Sequence, residues 1–519
     1  MLRSSSKALA LILLSSPALA DPTFESRIGD ISHQYVGGWE HFVGGGVAAF
    51  DCNNDQMAEL FVAGGENPTK LLSNTTSGQG ADVSFADITP DHLKITAVTG
   101  AYPIDIDSDG NTDLVVLRAG ENQILRGLGE CSFEEFTSLE LAPEDKWTTA
   151  FSATWEGDNK LPTFAFGNYV DRTDEDGPFE ACDSNTLYRP IDGSYAEPTI
   201  LEPGYCALSV LFSDWGRKGK QDLRISNDRH YYVKNGHEQL WALNDTPALY
   251  TEEQGWIKHQ LWGMGIASRD IDGDGLPEVY LTSMGDQKLQ KIEADGEKPT
   301  YRNAEYAKGI TTHRPYKGDD GRPSTGWHVA FGDIQNDGLN DLFVAKGNVD
   351  QMIGAAMADP NSLLIQQVDG SFKEFGGVAG VGSDARSRGA ALVDLNMDGL
   401  LDLVVVNRRA DLEIYENTTP VSYNWASLVV KQTSANTNAV GAWIEIRLGE
   451  KVVAREITVG GGHASGTLAP QHFGGLNESK LFDVRVIWPD GRVSDWTTLS
   501  GNKTWTLTRE GNEFSATSY

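Results

Sequence analysis

Basic side chains are scarce in this chain: 42 Lys and Arg stand against 74 Asp and Glu, a formal net charge of −32. A field of that sign argues against nucleic acid and anionic membrane surfaces as partners and favours cations. Adaptation to salty water would produce the same bulk charge. Long apolar runs are missing too. The one hydrophobic stretch at the start, Ala8 to Leu14, follows Arg3 and Lys7 and precedes Ala18-Leu19-Ala20. A basic start, a short apolar run and small residues at a cleavage site make a secretory signal, too short to span a bilayer. Residues 1–20 are expected to be removed, leaving a monomer in the periplasm or the medium without membrane insertion. Cysteine is limited to Cys52, Cys131, Cys182 and Cys206. Export permits disulfides, and four cysteines allow three pairings. Cys182 and Cys206 flank one irregular stretch, which leaves Cys52 with Cys131; free thiols are the alternative.

Familiar catalytic patterns are absent as well. There is no Gly-x-Ser-x-Gly elbow, and His237-Glu238 meets Trp241 where a metalloprotease helix needs its second His. Gly460-Gly461-Gly462 does not lie between a strand and a helix, so it is no nucleotide loop. His463 and His472 read as hydrogen-bonded structural residues, with a ligand role as the alternative.

What the chain does have is one acidic loop, repeated. It reads Asp51, Asn53, Asp55 and Glu59; then Asp105, Asp107, Asp109 and Asp113; then Asp270, Asp272, Asp274 and Glu278. It returns as Asp333, Gln335, Asp337 and Asp341, and as Asp394, Asn396, Asp398 and Asp402. Oxygen-bearing side chains at positions 1, 3, 5 and 9 suit a hard cation such as calcium. A position-7 carbonyl, from Asn111, Leu276, Leu339 and Leu400, completes the set. Gly110, Gly275, Gly338 and Gly399 at position 6 permit the sharp turn, whereas the first loop has Gln56 there and should be weaker. Position 12 holds Val62, Val116, Leu281, Val344 and Val405, which excludes an EF-hand.

A strand pattern precedes and follows each loop, as in Val47-Ala48-Ala49-Phe50 before the first and Leu60-Phe61-Val62 after it. Two degenerate copies fill the gaps. Trp155 to Thr163 has lost most ligands, and Asp214 with Asp222 has Lys218 at position 5. The Lys218 ammonium is expected to pair with Asp214 and Asp222 in place of a metal. Units therefore start at 51, 105, 155, 214, 270, 333 and 394. That interval fits four-stranded blades and an all-β, seven-bladed propeller over residues 21–420. The last unit lacks its fourth strand, which the N-terminal residues 23–35 should supply, closing the ring and removing sheet edges. Residues 421–511 read as a separate small β-sandwich or barrel, with 512–519 as a loose tail.

The inner strands should open near one mouth of the channel with His41, Trp262, Met264, Trp327, His328 and Arg388. These could bind a sugar or another polar ligand, or simply fill the channel. The acidic insertion Asp171, Asp174, Glu175 and Asp176 reads as a solvated loop or a further cation site.

The loops with their following strands resemble the FG-GAP/VCBS repeats of integrin-like propellers. Asn438 to Ala442, Val459 to Ser465, His472 to Leu476 and Val486 to Gly491 resemble the ASPIC/UnbV domain. That order resembles the cartilage acidic protein family. The resemblance implies an integrin-like propeller and a secreted calcium-binding protein with no assigned catalysis. The expected role is a binding or adhesion module for a protein or glycan, with several structural calcium ions. The alternatives are a carbohydrate-active enzyme at the channel mouth and a purely structural envelope or matrix protein.

Overall fold

The computed structural model describes residues 20–518 apart from 143, 176, 196, 229–233, 294–295, 319–320, 422 and 477–479. Most of the expected secretory signal, residues 1–19, lies outside the described residues, as does Asp176 of the acidic insertion.

Each acidic loop closes an antiparallel hairpin in the same register. The residue before position 1 faces position 9: Phe50 opposes Glu59, Ile104 opposes Asp113 and Arg269 opposes Glu278. Gly332 opposes Asp341 and Val393 opposes Asp402 in the same way. The degenerate units keep this register, with Thr154 opposite Thr163 and Ser213 opposite Asp222. The hairpin therefore survives loss of the ligands, because strand pairing sets it. Two further strands complete each blade, giving seven four-stranded units around a ring. Blades two and three are also joined, Asp145–Trp147 running beside Ala119–Glu121. Phe24–Ser26 is the outermost strand of the seventh blade, paired with Glu413–Asn417. The ring is an integrin-like β-propeller. Six inner strands shift register near their first residues, for example between Gly263 and Ile266. Such bulges sharpen the twist where strands crowd an axis.

After the ring come two packed four-stranded sheets. One holds Asn424–Gln432, Gln471–Leu476, Thr504–Glu510 and Glu513–Ser518; the other holds Trp443–Leu448, Lys451–Glu456, Leu481–Ile487 and Thr497–Ser500. Ile444, Val484, Phe473 and Leu507 fill the space between them, so this unit is a sandwich. The expectation of a loose tail is overturned: Glu513–Ser518 is an edge strand. Gly511 turns at φ +59°, and Phe514 and Ala516 pack on the core.

One segment leaves the sandwich and enters the ring. Residues 459–468 fill the channel. Gly466–Leu468 runs parallel to Val47–Phe50 of blade one, and Ala464 accepts from Ala101 of blade two. Val459 accepts from Ser152 of blade three, Gly461 donates to Val210 of blade four, and Gly462 donates to Ile266 of blade five. His463 N–H donates to His328 Nδ1 of blade six at 3.1 Å. At Gly389 of blade seven an added Cβ would lie 2.4 Å from Ser465 Oγ. Every blade thus touches this plug.

Candidate metal loops and the channel

Strand ends aim each loop's carboxylates inward, and backbone N–H groups hold them there. The position-9 carboxylate accepts from residue 2 of its loop in all five repeats: Cys52 to Glu59, Ile106 to Asp113, Ile271 to Glu278, Ile334 to Asp341 and Leu395 to Asp402, at 2.7–2.9 Å. Position 1 accepts from the residue at position 6, as Gly110 donates to Asp105 at 3.0 Å and Gly338 to Asp333 at 2.7 Å. The position-7 N–H turns back onto the position-5 carboxylate, from Asn111 to Asp109, Leu276 to Asp274, Leu339 to Asp337 and Leu400 to Asp398. In the first loop Gln56 takes φ +75°, a left-handed conformation without glycine's freedom. Its Asp51, Asn53, Asp55 and Glu59 are nevertheless brought together, with Asn53 bonded to Asp55 and Glu59.

The chemistry of these loops is that of a crowded anion cluster. Asp105, Asp107 and Asp113 converge within 4.8 Å, as do Asp270, Asp272 and Glu278. Burial, and then mutual repulsion, pushes Asp113 and Glu278 up to about 8. Burial likewise raises Asp333 and Asp394 to about 7, and Asp341 and Asp402 well above the carboxylate range. Gln335 Oε1, Asp337 Oδ2 and Asp394 Oδ1 are buried with no hydrogen-bond partner. A hard cation would satisfy these oxygens and offset the repulsion, so the residues fit the group. In the second and third acidic loops a basic side chain already stands beside positions 3 and 5: Arg126 meets Asp107 and Asp109, and Lys291 meets Asp272 and Asp274. Neither stood out in the repeat, because each comes from the third strand of its blade.

The sandwich covers this face of the ring. Thr437 donates to Asp105, and Glu456 accepts from the Asp214 N–H at 2.7 Å and from Gln221 at 2.9 Å. At Gly474 an added Cβ would sit 2.2 Å from Asp333 Oδ2, so only glycine lets the strand approach so closely. The pairing expected for Lys218 is not found. Its ammonium lies 2.9 Å from Glu297, while Trp215 and Tyr250 satisfy Asp222. Two disulfides are present, Cys52–Cys131 and Cys182–Cys206. Cys52 and Cys131 lie near Glu59 but are bonded to each other and offer no thiolate.

The residues expected at the channel mouth separate. His328 and Arg388 are withdrawn from it. His328 is buried against the plug. Arg388 is 0% exposed, donates to the carbonyls of Phe42, Asn348 and Val349, and stacks 4.0 Å from Trp327. His41 is buried edge-on to Tyr35. The Arg388 donors are spent on backbone carbonyls, which closes its guanidinium to a solute. Met264 and Trp327 instead line a cavity of about 410 Å³ on the face opposite the acidic loops, and Trp262 packs beside it. Trp39, Trp147 and Tyr169 supply its aromatic wall, edge to face at 4.8 and 4.9 Å. Trp39 lies in a short helical turn, Trp147 near the start of the inner strand of blade three and Tyr169 just after the next strand, none of them in the repeated loop, so no repeat pointed to them.

Residues 432–514 match the ASPIC and UnbV family, and residues 51–116 match the FG-GAP-like repeat. No curated protein matches the chain. Among solved structures, BBS1N in complex with ARL6DN is 10% identical with a TM-score of 0.44, over 77% of this chain and 98% of that one. An Agrocybe aegerita lectin, solved for its recognition of non-reducing terminal N-acetylglucosamine, is 14% identical with a TM-score of 0.32, over 78% of this chain and 90% of the lectin. With an FG-GAP-like repeat in the ring and an ASPIC/UnbV domain after it, the chain has the architecture of the cartilage acidic protein-like family.

Proposed function

We propose that this is an exported binding module whose acidic loops hold structural calcium and whose open face engages a partner protein outside the cytoplasm. The division of faces carries the reading. One face is occupied by the five loops and the sandwich docked on them, while the opposite face presents Trp39, 37% exposed, at the rim of the aromatic cavity. Calcium would tie each inner strand to its neighbour and neutralise the carboxylates, a structural task that needs no open coordination position. The cavity's chemistry favours an apolar anchor from a protein over a sugar. Its walls are mostly aromatic, valine and methionine side chains with Gln351 at the rim, and its carboxylates are engaged: Asp350 by Arg386 and Arg409, Asp228 by the Tyr169 hydroxyl. A sugar site would need free planar polar groups beside the rings. A buried aromatic or aliphatic anchor in such a pocket is the usual centre of a protein interface.

The test is retention of a partner from the native envelope fraction on the immobilised mature chain in millimolar calcium. The reading expects one partner that Trp39→Ser and Met352→Asp both release and that chelator also releases. Retention unaffected by both substitutions, or glycan-array binding that they abolish, would overturn the choice of face or of ligand class.

A further inference from the structure

A second cavity, of about 220 Å³, lies where blades five and six meet the sandwich beside the plug. Arg269, Arg455 and His472 all line it. Arg269 ends the inner strand of blade five, and Arg455 projects from Lys451–Glu456 of the sandwich with its guanidinium 4.0 Å over Phe473. Arg455 is 7% exposed and His472 is 4% exposed. One nitrogen of each is buried with no hydrogen-bond partner: Arg269 Nη1, Arg455 Nε and His472 Nδ1.

These are unusual groups to leave unmatched. Neither guanidinium forms an ion pair among the described residues; Asp270 and Asp333 act on them only through space. The two arginines also act unfavourably on each other and on His472. The nearest other carboxylate in the wall, Glu456, already accepts from Ser213, Asp214 and Gln221. Water in the cavity would satisfy the donors but leave two like charges buried together. An oxyanion does both, and a guanidinium fork matches its geometry.

His472 narrows the choice further. Asn336 donates its Nδ2 to Gly399 O at 2.9 Å, which leaves Asn336 Oδ1 as the acceptor facing His472 Nε2 at 2.6 Å. Nε2 therefore carries the proton and Nδ1 presents a lone pair to the cavity. A bare sulfate would repel that lone pair. An oxyanion carrying a hydroxyl would donate to it.

We infer that this cavity binds a small hydroxyl-bearing oxyanion of the hydrogen phosphate type, gripped by Arg269 and Arg455, donating to His472 Nδ1, and joining the sandwich to the ring. The site borders the acidic loops, with Asp270 in its wall, but it uses none of their carboxylates to hold the anion and is remote from the open face, so its test is independent of the proposed function.

Hydrogen arsenate and selenate are suitable crystallographic probes, because both scatter anomalously and only the first carries a hydroxyl near neutral pH. Crystals of the mature chain soaked in arsenate should show one peak between the two guanidiniums, and selenate a much weaker one. Calorimetric titration with phosphate should show a single site, weakened roughly tenfold or more in Arg455→Met and in Arg269→Met. The His472→Gln variant, which can donate, should lose the preference for phosphate over sulfate. Arsenate-soaked crystals with only water in the cavity would overturn the site, whichever variants fold. Equal occupancy by selenate and arsenate would overturn the role of His472.

Discussion

Arg217, in the loop of the fourth blade, donates to Glu445 of the sandwich and lies 4.6 Å over the ring of Trp443. Glu445 is nearly buried and shares its other oxygen with Arg485 at 2.6 Å. This is one of the two degenerate loops, and it keeps Asp214 and Asp222 but has Lys218 at position 5. Where its neighbours gather carboxylates, it projects a cation of its own across the joint. Arg217→Ala would leave a mostly buried carboxylate half-compensated. It should destabilise the docked sandwich by roughly 2 kcal/mol, allowing for the partial exposure of Arg217. Chemical denaturation read at sandwich tryptophans checks this, and Arg217→Lys should recover only part of the loss.

Removing divalent ions should lower the melting temperature. At millimolar calcium, a site of about 0.1 mM affinity contributes roughly 1.4 kcal/mol, and several such sites add. Asp402→Asn and Asp341→Asn should each reduce the calcium-dependent part of the melting shift and the bound calcium measured by mass spectrometry. An identical melting temperature in excess EDTA and in calcium, with no ion detected, would refute a structural metal.

The plug should be intolerant of the smallest addition. A Cβ on Gly46 would lie 1.7 Å from Ala464 O, and one on Gly100 would lie 2.2 Å from the same atom. Backbone atoms cannot yield as a flexible side chain can, so Gly46→Ala and Gly100→Ala should each cost about 3 kcal/mol or more. Gly354→Ala meets nothing within 4 Å and serves as the control. Urea unfolding of the three variants decides the matter.

Acid should loosen the channel. Burial holds His328 down to about 4; burial, then the Arg388 and His328 charges, hold His463 to about 3, against an ordinary 6.5. His463 Nε2 accepts from the Gly44 N–H and its Nδ1 faces Leu208 O, so both groups need the neutral form. As pH falls below 6.5 the unfolded chain takes up protons that the folded one refuses, and stability drops. By pH 5 each histidine costs about 2 kcal/mol relative to pH 7. The raised carboxylates of the acidic loops act in the opposite sense, so the measurement is a difference. Stability against pH between 6.5 and 5 should be shallower by about one proton in His328→Gln than in the parent.

Much of the ring was legible because its determinants are local. The offset between Phe50 and Glu59, repeated down to Val393 and Asp402, is short enough to read along the chain. The sandwich strands were legible for the same reason, including the Trp443 to Ile446 run that pairs with Val484 to Ile487. What was not legible depends on residues far apart. His328 looked like a mouth residue until a segment more than a hundred positions later packed on it, and Arg388 until Phe42, Asn348 and Val349 from earlier in the chain took its donors. Lys218 turned to Glu297 of the next blade, a neighbour that its own repeat does not reveal. The last strand was missed because Gly511 looked like an ending, although Phe514 and Ala516 keep the two-residue period of a paired edge.

The Val47–Ser465 hydrogen bond joins residues 418 apart and sits at the ring's axis. The wheel therefore receives its axle only after every spoke has been synthesised. Until then its glycine-lined hub, with Gly46, Gly100 and Gly389 facing an empty bore, has no partner for its inner surface. Such late, distant contacts slow folding and leave unfinished chains prone to associate. A chain cut before Val459 should thus be a hollow rotor that assembles poorly, whatever the quality of its individual blades.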